Sequence, residues 1–172
     1  MPALRQILPG TLILAAALAA CAPKEAPAPA AAAPAVDTAA VVAGVADTWA
    51  RWAVADTAEN LEALVAVMAE DARLDAKGMA PMIGRAAAQA TMTGLYAQVN
   101  YLEASSRPDF TVAISNELAH QMGTYLERYT MKGKKGEMTD YGRYAVAAVK
   151  DADGVWRWAY LMAMVDSTVT KK

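Results

Sequence analysis

The last third of the chain constrains the fold most. From Asp140 to Val165 the sequence DYGRYAVAAVKDADGVWRWAYLMAMV reads as two long strands joined at Asp151-Ala152-Asp153-Gly154. A three-residue loop with Gly154 as its bulge residue pairs Asp151 with Val155. That register sets Ala148 opposite Trp158, Val146 opposite Tyr160, Tyr144 opposite Met162 and Gly142 opposite Met164. Small residues then meet large ones on one face, which is assigned to the concave side. The other face holds Arg143, Ala145, Ala147, Val149, Arg157, Ala159 and Leu161, and suits contact with a second copy. A loop of two or four residues reverses the assignment, because a slip of one exchanges the faces.

Upstream, the periodicity is helical. Val41, Val45, Trp49 and Trp52 form one apolar stripe from about Thr38 to Ala55, the signature of a helix that covers a sheet. Asp56-Thr57-Ala58-Glu59 reads as a capping box for a second helix bearing Leu61, Leu64, Val65 and Met68 and stopping before Asp71. Ala72 to Ala76 is a short strand, and Gly78 to Gly84 a loop rich in turn residues. A third helix from about Arg85 to Val99 turns Ala88, Met92, Leu95, Tyr96 and Val99 inward. From Pro108 alternation returns, with Phe110 to Ile114 and Leu118 to Met131 as strands around the turn Asn116-Glu117. Lys132-Gly133-Lys134-Lys135-Gly136 reads as a solvated hairpin tip. Helices first and a long-stranded sheet afterwards predict an α+β domain from residue 38 to 168, with a tail over 169–172. Its curved antiparallel sheet over three helices would enclose a pocket.

The start of the chain is of another kind. Arg5 precedes the apolar run Leu12 to Ala17, which is too short to span a bilayer and has the layout of an export signal over residues 1–20. Leu18-Ala19-Ala20-Cys21 resembles the bacterial lipobox, in which the cysteine is lipidated after cleavage. The resemblance implies a membrane anchor on Cys21 in the bacterial cell envelope. Ala22 follows in place of an inner-membrane-retaining aspartate, which points to the periplasmic face of the outer membrane. Residues 21–37, rich in proline and alanine, read as a tether.

Composition excludes several functions. A net charge of −2 offers no basic footprint for nucleic acid. Cys21 and His120 are the only residues of their types, so a disulfide framework and a zinc site built from several Cys and His are excluded. No metal or cofactor is expected.

Several short motifs in order resemble a known family. They are the tryptophan-bearing first helix with Ala55-Asp56, Met68-Ala69-Glu70-Asp71-Ala72, Gly84-Arg85, Leu118-Ala119 with Gly123, Gly142-Arg143-Tyr144, and Asp153-Gly154-Val155-Trp156-Arg157. Together they resemble the SnoaL-like, ketosteroid-isomerase-like branch of the nuclear-transport-factor-2-like superfamily. The resemblance spans about Val41 to Asp166. It implies a cone of three helices on a curved sheet, often dimeric, with a cavity at the open end. Members range from isomerases, cyclases and dehydratases to binding domains, so fold does not settle function. Related domains often carry polar residues on the last strand, where this chain has Leu161-Met162-Ala163-Met164.

The pocket is expected to involve Trp49, Trp52, Met68, Met92, Tyr96, Met122, Tyr144, Tyr160, Met162 and Met164, the methionines giving an adaptable wall or simply filling core. Candidate catalytic groups are Asp140 or His120 acting with Tyr144, since Asp140 and Tyr144 share a strand face. The leading expectation is a lipid-anchored domain that binds a small apolar or amphipathic ligand without catalysis. The alternatives are an isomerase, cyclase or dehydratase, and a dimerisation or protein-interaction module.

Overall fold

The computed structural model describes residues 35–76 and 78–171. Helix α1 (Thr38–Thr57) starts at Asp37, whose side chain accepts from the Ala40 N–H at 3.0 Å. That bond satisfies one of the amides a helix start leaves without a partner. Val41, Val45, Trp49 and Trp52 are all buried, so the apolar stripe faces the sheet. Thr48 donates its hydroxyl to the Trp156 carbonyl at 2.9 Å. Gly44 lies so close to the Trp156 indole that any Cβ would collide with it.

Helix α2 (Leu61–Ala66) is capped by Asn60, which accepts from the Ala63 N–H at 3.0 Å. The expected capping residue, Asp56, lies inside α1 and is 1% exposed. Strand β1 (Met68–Ala76) takes over where the sequence suggests more helix. Met68 to Ala72 favours helix by propensity, but tertiary pairing overrides it. Met68 aligns with Trp158, and the Trp158 N–H donates to the Val67 carbonyl at 2.9 Å. The two-residue β2 (Met82–Ile83) sits in the expected loop, and Gly84, at φ 78°, leads into α3 (Arg85–Tyr96).

Three long strands and the closing one follow: β3 (Val99–Ala113), β4 (Leu118–Met131), β5 (Glu137–Lys150) and β6 (Trp156–Lys171). Strand β3 begins at Val99 instead of Phe110. Residues Val169 to Lys171, expected in a tail, are strand, with Lys171 paired to Glu137. The sheet order is β2-β1-β6-β5-β4-β3. It is mixed and not purely antiparallel, because β1 runs parallel to β6. Three helices against an unclosed six-stranded sheet make the α+β cone that the sequence predicts.

The closing hairpin both confirms and corrects its sequence reading. Asp151 donates to the Val155 carbonyl at 3.0 Å, and Gly154 adopts φ 80°, so the loop has three residues. Ala148 pairs with Trp158 as expected. Ala147 then pairs with Tyr160, which leaves Ala159 as an extra residue in β6. Such a bulge exchanges the faces beyond it. Tyr144 therefore faces Ala163, Val146 faces Leu161 and Gly142 faces Val165.

Candidate functional site

The concave side of the sheet and the helices border a half-open cavity of about 380 Å³. One wall is aromatic. Trp49 stacks 4.1 Å from Tyr144 and 4.5 Å from Trp158, and meets Trp52 edge-on at 5.4 Å, all between ring centroids. Leu64, Met68, Leu74, Met79, Met82, Met92 and Leu95 line the helical and β1 side, while β6 contributes Leu161, Ala163 and Val165. Two glycines make room for rings on the central strands. Gly142 is paired with Tyr125, and a Cβ there would run into the Tyr125 ring; Gly123 is paired with Tyr144 and sits under its hydroxyl.

Polar groups enter this apolar wall at a few points. Asp56, from the last turn of α1, accepts from the Tyr96 hydroxyl at 2.8 Å through Oδ1, while Oδ2 has no partner in the protein. Burial raises its pKa to about 6, against the Tyr96 hydrogen bond and with help from the Glu59 charge. Glu127 on β4 is raised further, to about 8, by burial and by the negative charges of Asp56 and Asp140. Asp140 is the cross-strand neighbour of Glu127. It accepts from the Thr168 hydroxyl at 2.6 Å and the Tyr129 hydroxyl at 3.3 Å. The indole N–H groups of Trp49 and Trp158 are buried without an acceptor. Burial also raises the pKa values of Tyr101, Tyr125 and Tyr144, keeping these phenols neutral. None of the described lining residues is Lys, Arg or His. Among the described residues, no His, Cys, Asp and Glu cluster is arranged to hold a metal ion.

No family model matches the sequence, and no curated protein matches it. Solved structures do match in three dimensions. A conserved protein from Planctomyces limnophilus superposes with a TM-score of 0.67 at 19% identity, covering 77% of this chain and 99% of that one. A ketosteroid isomerase-like protein from Erwinia carotovora gives 0.66 at 16% identity, covering 73% and 95%. Hexachlorocyclohexane dehydrochlorinase type 3 from Novosphingobium barchaimii gives 0.64 at 14%, covering 77% and 91%. The fold is the α+β cone that these structures share.

Within this cone, Trp49, Trp52, Met68, Met92 and Tyr144 line the cavity. Tyr96 stands behind the wall and reaches it through Asp56. Met122, Tyr160, Met162 and Met164 do not line it. Met122 alternates away from Gln121 and Gly123, and the Ala159 bulge turns the other three outward. Phe110, Met122, Ala145 and Met162 form one cross-strand row on the outer face. Leu161, expected on that face, points into the cavity instead. His120 is exposed on β4 between Val112 and Ala147, away from the cavity. Asp140 lines the cavity, yet its phenol partner is Tyr129; the Tyr144 hydroxyl donates to Gln121 at 2.8 Å. Cys21 and the leader lie outside the described residues.

The motif residues mostly hold the cone together. Arg85 donates to the Met68 carbonyl at 2.6 and 2.8 Å, and Arg157 clamps Asp151 and Asp153 at the hairpin tip. The groups that sequence reasoning missed are Glu127 and Asp56. Glu127 had a signal: period-two alternation along β4 puts it on the face of Ala119, Gln121 and Tyr125. Asp56 had none, because a capping aspartate and a buried one look alike in Asp-Thr-Ala-Glu.

Proposed function

We propose that the domain binds a small, mainly apolar ligand in the cone cavity, and that a lipid on Cys21 holds it to the bacterial envelope. One observation carries the binding reading: a half-open apolar cavity lined by Asp56, Trp49 and Trp158, of which Asp56 Oδ2 and the two indole N–H groups have no partner in the protein. Each such buried orphan costs about 1–3 kcal/mol, a cost that a ligand with matching groups removes. The volume of about 380 Å³ falls within the usual range of small-molecule sites.

Ala163 offers the test. Its methyl lines the cavity opposite Tyr144, so Ala163→Phe puts a ring into the empty space. Binding of the neutral dye Nile red, read by its fluorescence and by quenching of the tryptophans, is expected for the wild type and lost in the variant. A variant with native circular dichroism that binds the dye as well as wild type would place the dye elsewhere and sink this reading. The anchor is tested separately: in the bacterial host the full chain should partition into detergent with the membranes, and Cys21→Ser should move it to the soluble fraction. Equal partitioning of the two would rule the lipid out.

Asp56 and Glu127 also support a second reading, proton transfer on the bound ligand. Two carboxylates whose surroundings raise their pKa values to about 6 and about 8 stand ready as base and acid near neutrality. This places the acid-base pair on Asp56 and Glu127 in place of Asp140 or His120 with Tyr144. The pH dependence of stability in wild type and Asp56→Asn, which reads the titration of Asp56, decides whether the reading survives.

A further inference from the structure

We infer that the cavity's ligand carries a protonated amine on an apolar body. This inference rests on the ligand-binding reading and names the class of ligand. Three carboxylates, Asp56, Glu127 and Asp140, line a cavity in which no described lining residue is basic. Asp56 is 1% exposed and one of its oxygens has no partner, so the wall holds an acceptor that the protein itself does not use.

The basic residues nearby in the chain are engaged elsewhere. Arg128 leaves β4 from the opposite face and pairs with Glu103 and Glu137 at 3.1 Å each. Arg143 points outward to Asp166 at 2.8 Å, Arg73 pairs with Asp75 at 2.9 Å, and Lys132 reaches Glu59 at 3.2 Å. Negative charge in the cavity is therefore left for a ligand to answer. A metal ion is a poor answer, since the carboxylates do not converge into a ligand set and hard cations want several oxygens at once. An organic ammonium fits better. Its charge meets a carboxylate through charge-assisted hydrogen bonds, and the faces of Trp49, Trp52 and the tyrosines attract a cation. Leu161, Ala163 and Val165 then receive the hydrocarbon body.

Glu127 gives the inference a second readout. With its pKa at about 8, Glu127 is mostly protonated at pH 7 in the empty cavity. An ammonium beside it favours the ionised form, so binding releases a proton to the buffer, whereas a neutral ligand releases none.

The test uses one compact apolar body with three head groups: adamantylamine, adamantanol and adamantanecarboxylate, each displacing Nile red from the full chain at pH 7. The amine is expected to bind about tenfold tighter than the alcohol, with the carboxylate weakest. Calorimetry in buffers of different ionisation enthalpy should show proton release for the amine alone. The amine's advantage should shrink in Glu127→Gln and again in Glu127→Gln with Asp56→Asn. Asp140→Asn serves in their place if either variant fails to melt cooperatively. An alcohol that binds as tightly as the amine overturns the inference and leaves the cavity reading standing, as does an advantage that survives loss of the carboxylates. If Nile red itself does not bind, the cavity reading fails and takes the inference with it.

Discussion

Replacing Trp158 with alanine should cost the domain about 3–5 kcal/mol of unfolding free energy, the range for removing a buried aromatic. Trp158 is 1% exposed and packs against Trp49 and Trp52, at centroid distances of 4.5 and 6.3 Å. It also stands at the junction of β1, β6 and β5, opposite both Met68 and Ala148. No small movement of α1 can close the void, because Gly44 already holds α1 against the Trp156 ring. Single domains have only about 5–15 kcal/mol in total, so the variant should melt far below wild type in urea. Trp158→Phe should cost much less: it keeps ring contacts and gives up an N–H that has no acceptor. A loss below about 1 kcal/mol for the alanine variant, outside the range expected for a core aromatic, would show that this cluster does not anchor the sheet.

Raising the pH from 4 to 8 should weaken the domain, and Asp56→Asn should largely remove the part due to that residue. The pKa of Asp56 is raised in the folded state to about 6. Its contribution is therefore full where the residue is protonated in both states, below its unfolded pKa. It is lost as pH rises through the folded value. The displacement corresponds to a loss on the order of 3 kcal/mol, complete above about pH 7. Glu127, raised to about 8, extends the decline to higher pH. Asp75 and Asp153 have lowered pKa values through their pairing with Arg73 and Arg157; their contributions fail only in acid, below this window. Urea denaturation of wild type and Asp56→Asn at a series of pH values reads the difference. The variant should match wild type near pH 4 and exceed it near pH 8, since Tyr96 can still donate to the amide oxygen. A constant offset between the two would mean that Asp56 ionises normally, and the proton-transfer reading would fall with it.

How much of this was legible in the sequence depended on how local the deciding interaction was. The three-residue loop at Gly154 and the Trp49–Trp52 stripe are set by neighbours in the chain, and both stood out. The first half of strand β1 did not: Ala72 to Ala76 read as strand, but the extension back to Met68 rests on its pairing with Trp158, some ninety residues away in sequence. The cavity was legible on the helical side, where Trp49, Trp52, Met68 and Met92 line it, and misread on β6. No residue type announces the bulge at Ala159, so period-two alternation was carried straight through it: Tyr160, Met162 and Met164 were read as lining, and Leu161 was placed on the outer face. Asp56 was hidden for a different reason: its burial depends on Tyr96 of α3, a partner that no local pattern identifies.

The bulge also means that β6 stores two alternative linings in one stretch of chain. Leu161, Ala163 and Val165 are small or branched and leave the cavity open; Tyr160, Met162 and Met164, offset by one residue, are long enough to fill it. Which set points inward is decided by whether the ladder leaves Ala159 unpaired, because strand side chains alternate with period two. A regular ladder that paired Ala159 with Ala147 would bring the long set inward without altering the loop, the turn or Trp158, whereas deleting Ala159 would leave Tyr160 opposite Ala147 and keep the present lining. Pocket size in this cone is thus governed by strand register, a one-step slip that requires no substitution of any lining side chain.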